Sequence, residues 1–574
     1  MSDQSSMLVL MTWLNRASFP LAISLLLMTQ GCCRLLCGSE RSNLASGYEI
    51  LPDPTDTKQI SQKVILLADN QLHHLYGKPF ALKAGWVDHL VVDSAVRPVQ
   101  LDLFGQDQLR WVLRHSVDAP VIHLGDGLDI SCGKELKRLF ALMHDELKQQ
   151  QPWVMLPGNH DGFFYGNFAQ SPPERVVDRN WPHAWEDACA NGGGPIDKAT
   201  FVREYVDMLR SQSQQIAMFD KQCLGREQLQ ESGDIDCSNF HGFLRRIAYH
   251  VSQREPWKSY VVQIFDISQP FNTSQQQQRK VLIIGLDTNH YRNESSGMPQ
   301  TDDGERVFAG LTGNIELEQV KVVERWLEQE RQIARLGNLE TPLVVIMGHH
   351  PYKSLSKNSR KALDNWIQRA DVLLYVSAHT HHGSYIVHHH WLELNIGSIL
   401  EWPQEYRNFW VIKKQESYGF SSQLYRLEDQ FGQGLETAPQ CMSKNDLKDL
   451  YVNYRDLWNG GNVTAKEIRK ALLKTYLSYL GAAKTDVQQT SQGCWPDGTD
   501  SPEALQGKIN AVINEADEPA MNRLLIELDK FEECRIVENP QQREWIRICH
   551  GLRAGKYDAM GYKPDVADTY ILTP

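Results

Sequence analysis

The chain has 574 residues, more than one hydrophobic core usually holds, so we expect a large domain with accessory regions. Hydrophobic residues make up 41% and charged residues 23%, a globular composition that excludes a largely disordered chain. The net charge of −12 excludes a general electrostatic attraction to nucleic acid, so we expect no nucleic acid as a structural partner.

The N-terminus has the features of a secretory leader. Arg16 precedes the apolar run Phe19–Met28, which is shorter than the roughly 20 residues that span a bilayer. Gly31-Cys32 then resembles the cleavage and acylation site of bacterial lipoproteins, although Thr29 stands where that pattern has Leu. We expect export to the cell envelope or periplasm, with membrane attachment through a lipid on Cys32. The alternatives are a plain signal peptide and a start codon placed too early.

Beyond the leader, the cysteines permit disulfides but form no CxxC pair, which makes a structural zinc site improbable. Their pairing cannot be read from spacing alone. The eight are Cys132, Cys189, Cys223, Cys237, Cys441, Cys494, Cys534 and Cys549.

The chain divides into three regions by pattern. We expect a leader and polar linker over 1–58, a catalytic domain over 59–428, and a helical C-terminal domain over 429–574 with an unknown protein partner. The stretch 163–256 interrupts the central region and is expected to overhang its functional site. In the last region, helical patterns cover 462–480, 520–531 and 544–552.

In the central region, short continuous apolar runs alternate with helical patterns at Phe104–His115 and Glu316–Leu336. Such runs predict strands buried on both faces of an α/β fold, whose ligands gather at the strand carboxyl ends. The predicted strands are Lys63–Ala68, Ala119–Leu124, Trp153–Leu156, Tyr260–Asp266, Val281–Leu286, Leu343–Met347 and Val372–Val376.

Carboxylate, amide and imidazole side chains follow these strands. Two divalent cations about 3.5–4 Å apart can activate water and neutralise a phosphoryl group, and they require this mixture of ligands with a nearby acid. The residues at the strand ends are Asp69, Asp126, Asn159, His160, His349, His379 and His381.

Five blocks in this order resemble the calcineurin-like metallophosphoesterases, over about residues 60–400. That family has Asp-x-His, Gly-Asp, Gly-Asn-His-Asp/Glu, Gly-His and Gly-His-x-His, each following a strand. Here the blocks are Asp69-Asn-Gln71, Gly125-Asp126, Gly158-Asn159-His160-Asp161, Gly348-His349-His350-Pro351 and Ala378-His379-Thr380-His381.

The resemblance implies a four-layer β-sandwich flanked by helices and the hydrolysis of phosphoester bonds by a hydroxide that bridges two metals. One metal site would use Asp69, Asp126 and His381, with Asp126 bridging. The other would use Asn159, His349 and His379. Among the remaining residues, His160 would be the general acid and Asp161 its orienting neighbour.

One position departs from the family pattern in the ligand set. Gln71 replaces a histidine ligand, and an amide oxygen is a weaker ligand than imidazole for zinc, which favours Mn or Mg in the first site. Gly127-Leu128 after Asp126 lacks the tyrosine of purple acid phosphatases. The expected cofactors are two divalent ions, drawn from Mn, Zn, Fe and Mg.

Two alternatives stay open from the sequence. The chain could be a phosphodiesterase that acts on a phospholipid or cyclic nucleotide, or a non-catalytic scaffold that binds phosphate groups. Gln71 favours the scaffold, whereas the proton donor His160 argues for an enzyme.

Overall fold

The computed structural model describes a discontinuous set of residues. These are 49–50, 56–72, 81–84, 87–91, 99–115, 119–129, 131–147, 151–162, 189, 192–216, 235–238, 243–269, 279–290, 292–293, 299–300, 312–369, 371–388, 391–401, 404–427, 492–534 and 569–572, with six positions between 470 and 480. The predicted leader with Cys32, much of the 163–256 stretch, and the helical pattern at 544–552 lie outside the described residues.

The strands are β1 (Glu49–Ile50), β2 (Lys58–Gln59), β3 (Val64–Leu67), β4 (Ala81–Ala84), β5 (Val87–Val91), β6 (Val121–His123), β7 (Trp153–Met155), β8 (Ile235–Ser238), β9 (Leu244–His250), β10 (Tyr260–Asp266), β11 (Val281–Gly285), β12 (Arg292–Asn293), β13 (Pro299–Gln300), β14 (Leu343–Met347), β15 (Val372–Ser377), β16 (Ser384–Val387), β17 (Leu392–Asn395), β18 (Glu405–Lys414), β19 (Ser417–Arg426) and β20 (Thr569–Leu572). The α-helices of the described part are α1 (Val99–His115), α2 (Gly133–Glu146), α3 (Lys198–Ile216), α4 (Leu317–Leu336), α5 (Lys357–Ile367), α6 (Pro502–Glu515) and α7 (Glu518–Cys534).

Two large mixed sheets form the centre of the fold. The first has the order β1-β20-β19-β18-β3-β6-β7, with β2 beside β18, and its strands β3, β6 and β7 are parallel. The second has the order β16-β17-β15-β14-β11-β10-β9-β8, with β11, β14, β15 and β17 parallel. Because parallel strands need crossover connections, helices cover these sheets.

Alternation along the strands decides which face each residue buries. In β14, Leu343, Val345 and Met347 pack in one core with β3, β6 and β7 of the first sheet. Val344 and Ile346 point the other way and pack with helices α4 and α5. Successive strand residues face opposite sides of a sheet, so a continuous apolar run is needed to bury both.

Helices α1 and α2 contribute Leu109, Val112, Leu136 and Leu139 to the core that contains the first sheet. Trp326 of α4 and Trp366 of α5 are fully buried against the second sheet. Mixed sheets with flanking helices confirm the predicted α/β class. The domain boundaries and the helical C-terminal domain, of which α6 and α7 are described, stay predictions.

One strand pairing joins remote parts of the chain. Strand β20 pairs antiparallel with both β19 and β1, so residues 569–572 lie within the first sheet. The sequence pattern predicts helices to the end of the chain, and this strand differs from that expectation. Within the described residues, no helix is long and apolar enough to cross a membrane.

Candidate metal centre

The predicted site residues follow parallel strands of both sheets. Asp69, Asp126 and Asn159 come after β3, β6 and β7, while His349 and His379 come after β14 and β15. Two contacts join the sets. His349 Nδ1 donates to the Leu124 carbonyl at 2.9 Å, and the His379 backbone N–H donates to Asp69 Oδ2 at 3.2 Å. The two sheets therefore bring their carboxyl ends together.

Asp126, Asn159, His349 and His379 form what we call the His349 cluster. His349 Nε2 lies 3.2 Å from Asp126 Oδ2, 3.1 Å from Asn159 Oδ1 and 3.2 Å from His379 Nδ1. Because Nδ1 of His349 donates to a carbonyl, its Nε2 is directed at these three groups. Ligand atoms of Asp126, His349 and His379 all lie within 4.8 Å of one another.

Asp69, Asp126 and His381 form a second group, the Asp69 cluster. Their ligand atoms also lie within 4.8 Å of one another, and His381 Nε2 is 3.5 Å from Asp69 Oδ1. Asp126 belongs to both clusters. Gln71 is buried near this group, and its backbone N–H donates to the Asp126 carbonyl at 2.9 Å.

Close approach of two loops builds this arrangement. A Cβ atom at Gly158 would collide with the Asp126 side chain and backbone, so the loop after β7 can lie against the loop after β6 only with glycine here. The candidate ligands themselves have strained backbone. Left-handed φ angles occur at Asp69 (50°), Gln71 (37°), Asp126 (54°), His379 (70°) and His381 (61°).

The pKa shifts of Asp126 and His379 favour the protonation states in which these residues bind metal ions. At Asp126, burial opposes ionisation, but the neighbouring His349 and His160 hold the carboxyl pKa well below its usual range. Burial, followed by the His349 charge, lowers the pKa of His379 to about 3. At neutral pH Asp126 is therefore ionised and His379 neutral, the states in which both residues bind cations.

The pKa values of Asp69 and His349 are both shifted upwards, opposite to those of Asp126 and His379. Burial raises the pKa of Asp69 to about 6, against the attraction of His381 and His349. Burial lowers the pKa of His349, but the Asp126 charge and hydrogen bond outweigh it and raise the value to about 9. Without a cation, His349 therefore carries the positive charge that neutralises part of this acidic group.

Two buried oxygens test whether the residues fit a divalent cation. Asp69 Oδ1 and Gln71 Oε1 are buried and have no hydrogen-bond partner among the described residues. Leaving a buried acceptor unsatisfied costs about 1–3 kcal/mol, and buried carboxylates are normally paired or bound to metal. Together with the imidazoles, these oxygens form a donor set suited to Mn, Zn or Fe. The residues of the Asp69 cluster therefore fit a divalent cation.

His160 lies beside the His349 cluster and is held at three points. Its backbone N–H donates to Asp126 Oδ1 at 2.8 Å, and its carbonyl accepts from Ser131 Oγ at 2.9 Å. The ring Nδ1 donates to the Asp129 carbonyl. A carbonyl only accepts, so Nδ1 carries hydrogen and Nε2 is the nitrogen that can exchange a proton.

The hydrogen bonds of Asp161 go to backbone N–H groups of two loops, whereas the sequence-based hypothesis makes it the orienting neighbour of His160. Its Oδ2 accepts the backbone N–H of Asp126 at 2.7 Å and of Gly158 at 2.9 Å. Its Oδ1 accepts the N–H of Gly127 and Leu128 at 3.0 and 3.1 Å. Asp161 therefore fastens the loop of Asp126 to that of Asn159, and the Asp129 carbonyl takes the orienting role.

The loop that holds His160 is also tied to the predicted insertion. Cys132 directly follows Ser131 and forms a disulfide with Cys189. Ser131 Oγ also accepts the backbone N–H of Gly162 at 2.7 Å. The sequence left this pairing open, because eight cysteines allow many combinations. Cys494 is disulfide-bonded as well.

Other polar residues near the strand ends stay outside the two clusters. His350 Nδ1 pairs with Thr288 Oγ1 at 2.8 Å, so the structure brings His349 and not His350 into the centre. Asn289 and His290 are fully buried, and Asn289 Nδ2 donates to the Gly158 carbonyl at 3.0 Å. A support role fits these contacts better than substrate binding.

No family model and no curated protein matches this chain. Similar solved structures include a Staphylococcus aureus protein described as a 5'-nucleotidase in complex with α-ketoglutarate, at 11% identity and a TM-score of 0.28, covering 69% of this chain and 58% of that one. GAP50, the anchor in the inner membrane complex of Plasmodium, has 10% identity and a TM-score of 0.27, with coverages of 64% and 85%.

The NAD nucleotidase of Haemophilus influenzae has 10% identity and a TM-score of 0.26, covering 70% of this chain and 61% of that one. The chain thus spans about three fifths of the length of two of these proteins. Similarities at this level carry no argument about function, so the case for one depends on the geometry of the site.

Proposed function

We propose that this protein hydrolyses phosphoester bonds with the help of two divalent cations held by its two clusters. The observation that carries the proposal is the shared Asp126, which places one carboxylate in two overlapping groups of ligand atoms. The buried oxygens Asp69 Oδ1 and Gln71 Oε1, which have no hydrogen-bond partner among the described residues, support it, because a cation would satisfy them.

Each cluster has a proposed set of ligands. Asp126, Asn159, His349 and His379 would hold one cation, and Asp69, Gln71, Asp126 and His381 the other. When bound, such a pair supplies an activated water molecule and neutralises charge on the phosphoryl oxygens.

The chain's own residues supply the remaining chemistry. His160 is the proposed general acid, which protonates the oxygen of the departing alcohol from Nε2. The Asp129 carbonyl holds the opposite ring nitrogen, which stabilises the protonated imidazole and aims it. Asp161 keeps the loops of Asp126 and Asn159 in register through four backbone hydrogen bonds.

We also propose that the protein works in an oxidising compartment after export. The disulfide between Cys132 and Cys189 supports this, because such bonds persist outside the reducing cytosol. Lipid attachment at Cys32 remains part of the same proposal.

Metal removal is the direct test of the proposed function. Protein treated with EDTA and dialysed should lose hydrolysis of p-nitrophenyl phosphate and bis-p-nitrophenyl phosphate, and added Mn²⁺ should restore it. The ratio of the two rates separates a monoesterase from a diesterase. EDTA saturated with Ca²⁺ is the control for effects of the chelator itself.

Full activity in protein shown to be free of metal would reject the two-cation mechanism. A protein that binds two Mn²⁺ ions but hydrolyses neither ester would favour the non-catalytic scaffold.

A further inference from the structure

Glu401 lies directly behind one of the candidate ligands. Its Oε1 is 3.1 Å from His381 Nδ1, while His381 Nε2 is directed at Asp69 Oδ1, 3.5 Å away. The two nitrogens of this ring therefore have different neighbours. One faces the cluster and the other faces a carboxylate that belongs to neither cluster.

The turn that carries Glu401 is fixed by the cluster itself. Ser398 Oγ donates to the Asp69 carbonyl at 2.6 Å and accepts the backbone N–H of Leu400 and Glu401 at 2.9 and 3.1 Å. The Ser398 N–H donates to the His381 carbonyl at 3.2 Å. The position of Glu401 is thus coupled to the backbone of both Asp69 and His381.

His349 has a different neighbour at the corresponding nitrogen. Its Nδ1 donates to the uncharged carbonyl of Leu124. A carboxylate behind a metal-binding imidazole fixes its tautomer and makes it a stronger ligand, an effect typically worth about 10–100-fold in metal affinity. The carboxylate therefore supports the cluster in which Gln71, with its amide oxygen, stands near Asp69.

We propose that Glu401 is a positioning residue that fixes the tautomer of His381 and strengthens the Asp69 cluster as a cation site, offsetting the weaker amide ligand Gln71. This inference rests on the proposed metal centre. Glu401 presents Nε2 of His381 to the cluster by accepting the hydrogen of Nδ1, and it acts through His381.

Calorimetric titration of metal-free protein with Mn²⁺ tests this proposal without using activity. Glu401→Ala should weaken one of two Mn²⁺ sites about 10–100-fold and leave the other unchanged. Glu401→Gln keeps an acceptor for Nδ1 but removes the charge, so its loss should be intermediate. The side chain of Glu401 is 22% exposed, so both variants should fold, which circular dichroism checks.

Two further variants make the test specific. Glu416→Gln is the matched control, because that residue is 97% exposed, lies in the turn between β18 and β19 and pairs with Lys413. With Zn²⁺ as the titrant, the double variant Gln71→His with Glu401→Ala should recover most of the affinity that Glu401→Ala loses, since imidazole is a stronger ligand for zinc than an amide oxygen. A purely structural defect would not be repaired in this way.

The outcomes separate this inference from the proposed function. Wild-type protein that binds two Mn²⁺ ions, with unchanged affinities in Glu401→Ala, would overturn the role of Glu401 alone. Equal weakening of both sites would also overturn it. Wild-type protein that binds no Mn²⁺ would overturn the metal centre and this inference together.

Discussion

The two clusters share Asp126 but differ in how completely the protein has prepared them. In the His349 cluster, His349 is held by the Leu124 carbonyl and faces Asn159 and Asp126 at hydrogen-bonding distance. In the Asp69 cluster, Asp69 Oδ1 has His381 Nε2 at 3.5 Å but no hydrogen-bond partner among the described residues, and Gln71 Oε1 has none there either. The polar atoms of the first group thus contact one another, whereas the second group contains buried oxygens that no hydrogen bond from the described residues satisfies.

The protonation of the two clusters also differs. The pKa of Asp126 is held well below its usual range, whereas burial raises that of Asp69 to about 6. Of these two carboxylates, Asp69 is the one at which a proton competes with a cation as the pH falls towards 6. In the His349 cluster the competing proton is that of His349, whose pKa is raised to about 9 by the Asp126 charge against the effect of burial. The comparison teaches that two neighbouring sites built from similar residues need not bind with similar strength, and the amide ligand Gln71 leads us to expect the Asp69 cluster to be the more exchangeable.

The largest effect should come from removing what the two clusters share. Asp126→Asn takes the charge from both, so we expect both cations to bind weakly and turnover of p-nitrophenyl phosphate to fall by about 10³-fold or more. Metal content and turnover should be measured on the same sample. Asp145→Asn, on the exposed face of α2, is the matched control. Two tightly bound ions in the variant would mean that Asp126 does not bridge.

His160→Asn should separate binding from chemistry on the His349 side of the centre. We expect both cations to remain and turnover to fall about 10²–10⁴-fold on alkyl phosphates, since a departing alkoxide needs a proton. The loss should be much smaller on p-nitrophenyl phosphate, because p-nitrophenolate leaves without one. The measurement is the ratio of variant to wild-type turnover on both esters.

A matched control for that experiment is His144→Asn, an exposed residue of α2. Equal losses on both esters, or loss of a cation, would show that His160 is not the proton donor.

The smallest expected effect should come from a substitution that makes the ligands of the two clusters more alike. Gln71→His replaces an amide with imidazole, so Zn²⁺ affinity of the Asp69 cluster should rise about tenfold while the His349 cluster stays unchanged. Competition titration against a zinc-binding dye measures both sites. A folded variant with unaltered affinities would indicate that the Gln71 side chain does not face the cation.

The strands of the centre were predictable because both of their faces are buried. The run Leu343–Met347 is strand β14 as predicted, and Val64–Leu67 lies within the predicted run Lys63–Ala68. The hairpin of β18 and β19 and the pairing of β20 with β19 were not predicted. A four-residue strand that finds its partner about 150 residues away leaves no local period to detect.

The clusters could be predicted from motifs, but their support could not. A motif gives the residues that follow a strand, and the motifs of this chain predicted that Asp69, Asp126 and His349 lie close together. It does not record that Asp161 accepts four backbone N–H groups or that Glu401 lies behind His381. Those contacts depend on how separate loops meet, and an acidic side chain in a loop looks the same in sequence whatever it touches.

The left-handed backbone at five candidate ligands has a consequence for selection and engineering. Such conformations cost of the order of 1–3 kcal/mol each, somewhat less for Asp and His, which enter this region more readily than most residues. A screen for heat resistance in metal-depleted medium would select glycine or asparagine at Gln71, His379 and His381. These residues relieve backbone strain that, in such a medium, is not offset by the free energy of metal binding. Thermostable variants obtained that way would have lost the centre, whereas the same screen with Mn²⁺ present would retain it.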